Sequence, residues 1–178
     1  IRLWILDDEV VIASVKSKMH TISAEVTAGL AKGLEIAEAG YKGMVIWTQD
    51  GPFSAGADLQ SMMPAFMSGG GKAIAPFEKQ LQDFMLSLRY SNVPTVAAMH
   101  GLALGGGCEL AVHAAKRVAA METYVGLVEV GVGLIPGGGG LAYLARRAAE
   151  QVEASKGVSG MVGAELMGFV KEGFQAAA

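Results

Sequence analysis

The chain is short of cysteine, of charge and of long apolar runs, and each shortage excludes something. Among 178 residues there is one cysteine, Cys108, so no internal disulfide can form and a reducing compartment is expected. Only 17% of residues are charged, and the net charge of −3 comes from scattered acids and bases without a basic patch. That argues against a nucleic-acid surface. No apolar run approaches the ~18 residues of a membrane span, and no secretory leader is visible. His20, His100 and His113 lack zinc spacing, so no metal centre is expected. The chain starts at Ile1 without methionine, as a fragment or a trimmed chain would.

What is abundant is apolar residue and glycine. Half the residues are hydrophobic and 25 are glycine, with no collagen-like period, which suits one tightly turning α/β domain. Alternation predicts strands over 2–6 and 10–15, joined by Asp7-Asp8-Glu9. Thr21 or Ser23 can cap a helix to about residue 39, with Val26, Leu30, Leu34 and Ala37 at helical spacing. A continuous apolar run over 43–47 reads as a strand buried on both faces of a parallel sheet. Glycine-rich residues 68–72 are flexible by composition, either a mobile loop or a place where residues are missing. Further elements are expected as a helix over about 76–90, a strand over 95–99, a helix over about 106–116 and a strand over 117–121. Glycines 137–140 then open a helix ending near residue 147. Short helical patches are expected at 158–167 and 169–178. Alternating strand and helix point to α/β.

The chain is organised around residues 93–110, where Thr95-Val96-Ala97-Ala98-Met99 runs into a glycine turn, then Gly105-Gly106-Gly107-Cys108-Glu109. Glycines let other groups approach the backbone, and a helix N-terminus offers unpaired N–H groups. Such a corner suits a phosphate or an oxyanion. A second glycine-rich loop, around Ala57, also follows an apolar strand. In a parallel sheet the two loops emerge at one edge, where their amides can converge on a carbonyl oxygen as an oxyanion hole. Glu109 and Glu129 lie in apolar, glycine-rich surroundings where two acids can be driven to different proton affinities. Taken singly, each reads as a solvated helix residue; the conjunction with two glycine corners favours chemistry.

Competing motifs fail. Gly71-Lys72 lacks the earlier glycine of a phosphate-binding loop, and Pro136 stands where Gly131-Val132-Gly133 would need its third glycine. Ser54 lies in Phe53-Ser54-Ala55-Gly56, without the Gly-x-Ser-x-Gly frame of a nucleophile elbow. Cys108 reads as a packing residue, Asp58 as a helix cap, and Lys16 and Lys18 as solvated cations.

Residues 53–59 (Phe-Ser-Ala-Gly-Ala-Asp-Leu), 94–110 and 126–140 together resemble the crotonase (enoyl-CoA hydratase/isomerase) superfamily, over about residues 1–148. They look particularly like the hydratase domain of bifunctional bacterial fatty-acid-oxidation enzymes. The resemblance implies a ββα spiral core over 1–148, with 149–178 as a C-terminal helical remnant of the same domain, truncated or unclear in pattern. It implies an acyl-CoA substrate, no separate cofactor, a bacterial cytoplasmic setting, and either a homotrimer or hexamer or a place in a larger bifunctional chain. By motif position, the amides of Ala57 and Gly106 would polarise the thioester carbonyl. Glu109 would activate water for attack at C3, and Glu129 would pass a proton to C2. Ala55, Gly56, Asp58 and Lys18 would border CoA. Alternatives are double-bond isomerisation, which usually needs one acid, and a non-catalytic acyl-CoA- or RNA-binding relative.

Overall fold

The computed structural model describes residues 1–155 of the chain. Its elements are β1 (Arg2–Leu6), β2 (Val10–Ser14), α1 (Ala24–Gly40), β3 (Gly43–Trp47), α2 (Leu59–Arg89), β4 (Thr95–Met99), β5 (Leu102–Leu104), α3 (Gly106–His113), β6 (Lys116–Ala119), β7 (Tyr124–Gly126) and α4 (Gly140–Ser155). Short 3₁₀ turns cover Lys18–His20 and Glu129–Val132. Among the described residues, no helix is long and apolar enough to cross a membrane.

Five strands form one sheet in the order β1-β2-β3-β4-β6. The β1–β2 hairpin is antiparallel, and the other pairs are parallel, with Ile46 opposite Ala97 and Ala97 opposite Arg117. A hairpin needs only a tight turn, whereas parallel neighbours need crossovers, which α1, α2 and α3 supply. A second sheet pairs β5 with β7, also parallel. The mixed α/β architecture is as expected.

The core lies where α1 and the second half of α2 cover the sheet. Leu30, Leu34 and Ala37 of α1 and Leu81, Phe84, Met85 and Leu88 of α2 meet Val11, Met44 and Ile46 of the strands. Each large side chain so buried contributes about 1.5–3 kcal/mol, so these four residues decide where α2 is anchored. Ser23 caps α1 by accepting from the Val26 amide, and Asp58 caps α2 by accepting from the Ser61 amide at 3.3 Å.

Three expectations are corrected. Residues 68–72 are not a loop: they lie inside α2, which begins at Leu59 rather than near 76. The helix is broken at Gly70 (φ 60, ψ −150), where a residue without a Cβ takes a non-helical conformation and two helical stretches meet across the kink. α3 stops at His113 instead of near 116, since Ala114 is extended and the chain turns directly into β6. α4 starts at Gly140 and runs to Ser155, past the expected end near 147. The helical patches expected at 158–167 and 169–178 lie outside the described residues.

Candidate active site

β3 and β4 are adjacent and parallel, so the loops that follow them leave the sheet at the same edge. The first loop carries Ala55, Gly56, Ala57 and Asp58, and the second enters α3 through Gly105 and Gly106. They touch. A Cβ on Gly56, which sits at φ +101, would lie 2.9 Å from the Leu104 carbonyl oxygen and 3.4 Å from the Gly106 nitrogen. A Cβ on Gly106 would lie 3.5 Å from the Ala57 nitrogen. At Gly56 only glycine permits the backbones to come this close, whereas the approach at Gly106 is ordinary van der Waals contact. The Gly56–Ala57 peptide is oriented by its carbonyl, which accepts from the Ile22 amide at 2.8 Å. Because the peptide is planar, the Ala57 N–H points the opposite way. Gly106 opens α3, and its N–H has no acceptor one turn back within the helix. The two amides expected to form the oxyanion hole are therefore side by side.

Glu109 lies in the first turns of α3 and is only 2% exposed. Its Oε2 accepts from the Gly138 amide at 3.0 Å and its Oε1 from the Gly140 amide at 2.9 Å. Burial raises its proton affinity most; those two amides lower it, while Glu129 and Glu78 raise it further. The result is a carboxyl moved from 4.5 to about 7, near the value a proton-transfer group needs at neutral pH. Residues 137–140 thus act as a strap that grips Glu109, a role beyond opening α4. The strap is itself held from both sides. Gln82 of α2 donates to the Gly137 carbonyl at 2.8 Å, and His113 of α3 lies against Gly139. His113 Nδ1 is bonded to the Glu109 carbonyl at 2.7 Å, and burial lowers its proton affinity.

Glu129 reaches the same corner from the turn after β7. Its Oε1 would lie 3.2 Å from a Cβ on Gly105, immediately before the Gly106 amide. Burial raises its proton affinity, partly opposed by the backbone amides of Val128 and Glu129 itself. Its Oε2 is buried without a hydrogen-bond partner. The structure therefore brings Ala57, Gly106, Glu109 and Glu129 together.

One acid was missed. Glu78 of α2 lies against Gly137, its Oε1 is buried and unpartnered, and burial and then Glu129 raise its proton affinity. Glu78, Leu81, Gln82 and Met85 follow the i, i+3, i+4, i+7 stripe, and that spacing beside a buried face was the available signal.

Of the other expected residues, Ala55 and Gly56 lie in the first loop, and the Ala55 amide donates to the Met19 carbonyl at 3.1 Å. Lys18 is exposed in the 3₁₀ turn beside that loop. The Asp58 carboxylate is engaged as the α2 cap. Cys108 is buried next to Glu109, and burial, Glu109 and Glu129 push its thiol up to about 12, which suits packing and not attack. Among the described residues, no group of three or more His, Cys, Asp or Glu could hold a metal ion.

The sequence model of the Enoyl-CoA hydratase/isomerase family matches residues 10–159. A probable 3-hydroxyacyl-CoA dehydrogenase of Bacillus subtilis is 41% identical over 135 residues, 76% of this chain and 17% of that protein. A putative fatty acid oxidation complex trifunctional enzyme of Rickettsia felis is 38% identical over 130 residues, 73% of this chain and 18% of that protein. The chain thus spans less than a fifth of either relative. The crystal structure of an enoyl-CoA hydratase from Polaromonas sp. superposes with a TM-score of 0.73 at 28% identity, covering 78% of this chain and 55% of that one.

Proposed function

The chain belongs to the enoyl-CoA hydratase/isomerase family, and from that premise we propose that it reversibly hydrates a 2-trans-enoyl-CoA to a 3-hydroxyacyl-CoA within fatty-acid oxidation. The observation that carries this reading is the convergence of two glutamates, buried Glu109 and half-buried Glu129, on one two-amide corner. The thioester oxygen is placed between the N–H groups of Ala57 and Gly106. Charge that develops there as the C2–C3 double bond is attacked is stabilised by donors already in place. Glu109, with its affinity near neutrality, takes a proton from water as the oxygen bonds to C3. Glu129 delivers a proton to C2, where the electron pair has moved. The elements of one water are added, so the step needs neither oxidant nor reductant, and dehydration retraces it.

Ala55, Gly56 and Lys18 are the residues proposed to border CoA. Lys18 is the exposed cation beside the first loop and would meet a phosphate. Asp58 acts there only through its cap. A trimer, a hexamer or a longer multifunctional chain is the proposed setting, which fits the exposed apolar residues Val118, Tyr124, Val130 and Ile135.

The test is loss of the conjugated-enoyl absorbance of crotonyl-CoA, run beside a 3-enoyl-CoA. Glu109→Gln or Glu129→Gln should lower kcat by roughly 10²–10⁴ with substrate binding retained. Conversion of the 3-enoyl-CoA alone would establish isomerisation instead. Tight acyl-CoA binding with no turnover of either would establish a binding protein.

A further inference from the structure

Ser54 is left over from the chemistry: it lacks a nucleophile elbow and lies under the two amides. It is fully buried. Its main chain joins the first loop to β5, the Ser54 amide donating to the Leu102 carbonyl and the Leu104 amide to the Ser54 carbonyl, both at 3.0 Å. Its hydroxyl donates to the His20 carbonyl at 2.8 Å and accepts from the Gly56 amide at 3.1 Å. Its outer face is packed against the second loop: a Cβ on Gly107 would lie 2.7 Å from the Ser54 Cβ and 2.9 Å from Oγ.

The carbonyl that takes the hydroxyl belongs to a strained turn. Met19 and His20 are consecutive non-glycine residues at φ 54 and φ 51. Such backbone persists only where surrounding bonds over-determine it. Three do so here: Ser54 Oγ on the His20 carbonyl, the Ala55 amide on the Met19 carbonyl, and the His20 ring on the Pro52 carbonyl at 2.6 Å. Two successive peptides before Ala57 are thereby fixed, Ala55–Gly56 by the serine hydroxyl and Gly56–Ala57 by the Ile22 amide.

We propose that Ser54 is a positioning residue of the oxyanion hole, whose hydroxyl aims the Ala57 N–H and whose side chain sets its spacing from the Gly106 N–H. The inference deepens the hydratase reading and rests on it, because the two amides must meet a thioester oxygen. It predicts that removing Oγ lets the Ala55–Gly56 peptide rotate and weakens polarisation of the carbonyl, with little effect on how tightly the CoA portion is held.

The probe is butyryl-CoA labelled with ¹³C at the thioester carbonyl, a saturated acyl group that cannot be hydrated, followed by difference infrared spectroscopy. In the wild-type protein the bound carbonyl stretch should fall below that of free butyryl-CoA. In Ser54→Ala the displacement should shrink by half or more, kcat on crotonyl-CoA should drop by about tenfold or more, and KM should stay within about threefold. Ser54→Cys keeps a weaker donor and acceptor at nearly the same place. It should give an intermediate displacement and carries the test if the alanine variant does not fold. A wild-type displacement fully retained in a variant, whether or not kcat falls, overturns the positioning role alone. No displacement in the wild-type protein overturns the oxyanion reading, and the proposal with it.

Discussion

Replacing Glu109 with glutamine tests the energetics of the site without assuming any reaction. Glu109 moves from 4.5 to about 7 on folding, burial being the largest cause. The folded chain therefore binds more protons than the unfolded chain between those values, and stability falls as pH rises through that window. At ~1.36 kcal/mol per tenfold change in proton affinity, the displacement corresponds to about 3 kcal/mol. Glutamine removes this term but cannot accept from both strap amides, so the Gly138 or Gly140 N–H loses its acceptor, at about 1–3 kcal/mol. Below the ordinary carboxylate value the wild-type acid is neutral, and Glu109→Gln should destabilise by that amount. Near pH 8 the desolvation gain offsets the lost bond, and the variant should equal or exceed wild type. The difference between the two effects, about 3 kcal/mol, is the quantity to measure, because the strap cost cancels in it. Urea unfolding of both proteins at the two pH values gives it directly. Stability curves that run parallel across the window would refute the reasoning, since Glu109 would then have the same affinity folded and unfolded.

Three further outcomes are expected. In Gly138→Ala, a Cβ 2.5 Å from Glu109 Oε2 would displace one of the amides that lower the affinity of Glu109. Activity should fall by at least about tenfold and the acid limb of its pH profile should move upward, whereas an unmoved limb would detach the strap from the titrating group. Gln82→Leu leaves the Gly137 carbonyl without its side-chain donor and should cost about 1 kcal/mol in urea unfolding. Native Cys108 should resist iodoacetamide near pH 8, with its thiol buried and pushed up to about 12, and should label in urea; rapid native labelling would contradict that environment.

What was legible in the sequence was what short-range pattern encodes. The β3 and β4 runs, each followed by a glycine-bearing loop, placed two loops at one sheet edge, and Glu109 and Glu129 stood out because acids are rare among glycine and apolar residues. β5 and β7 were not legible, being three residues each and too short for any period to repeat. The first half of α2 was hidden by its glycines, whose weak helix propensity suggested a loop where the structure has a kink at Gly70 between two helical stretches. Glu78 was hidden differently. Its significance depends on the long-range contact of α2 with the strap, and local spacing shows only that it borders a buried stripe. The same holds for residues 137–140, which read as a helix start, while their amides are turned toward an acid some thirty positions earlier.

The balance at Glu109 explains why the strap is made of glycine. The N-terminus of α3 favours a charged carboxylate there, but such dipole effects are worth about 0.3–1 kcal/mol, or ~2 in partly buried geometries. Burial, helped by the charges of Glu129 and Glu78, outweighs that dipole and two amide hydrogen bonds together, since the net displacement is upward by about 3 kcal/mol. With fewer amides the proton affinity of the acid would rise further, and with more it would fall. Two donors leave it near neutrality. They can reach the carboxylate only because Gly138 and Gly140 carry no side chains: a Cβ on either would approach the Glu109 side chain to within 2.5 Å or 2.9 Å. The glycine amides thus moderate a proton affinity that burial raises, and substitution of these glycines should change the chemistry of Glu109 before it changes the fold.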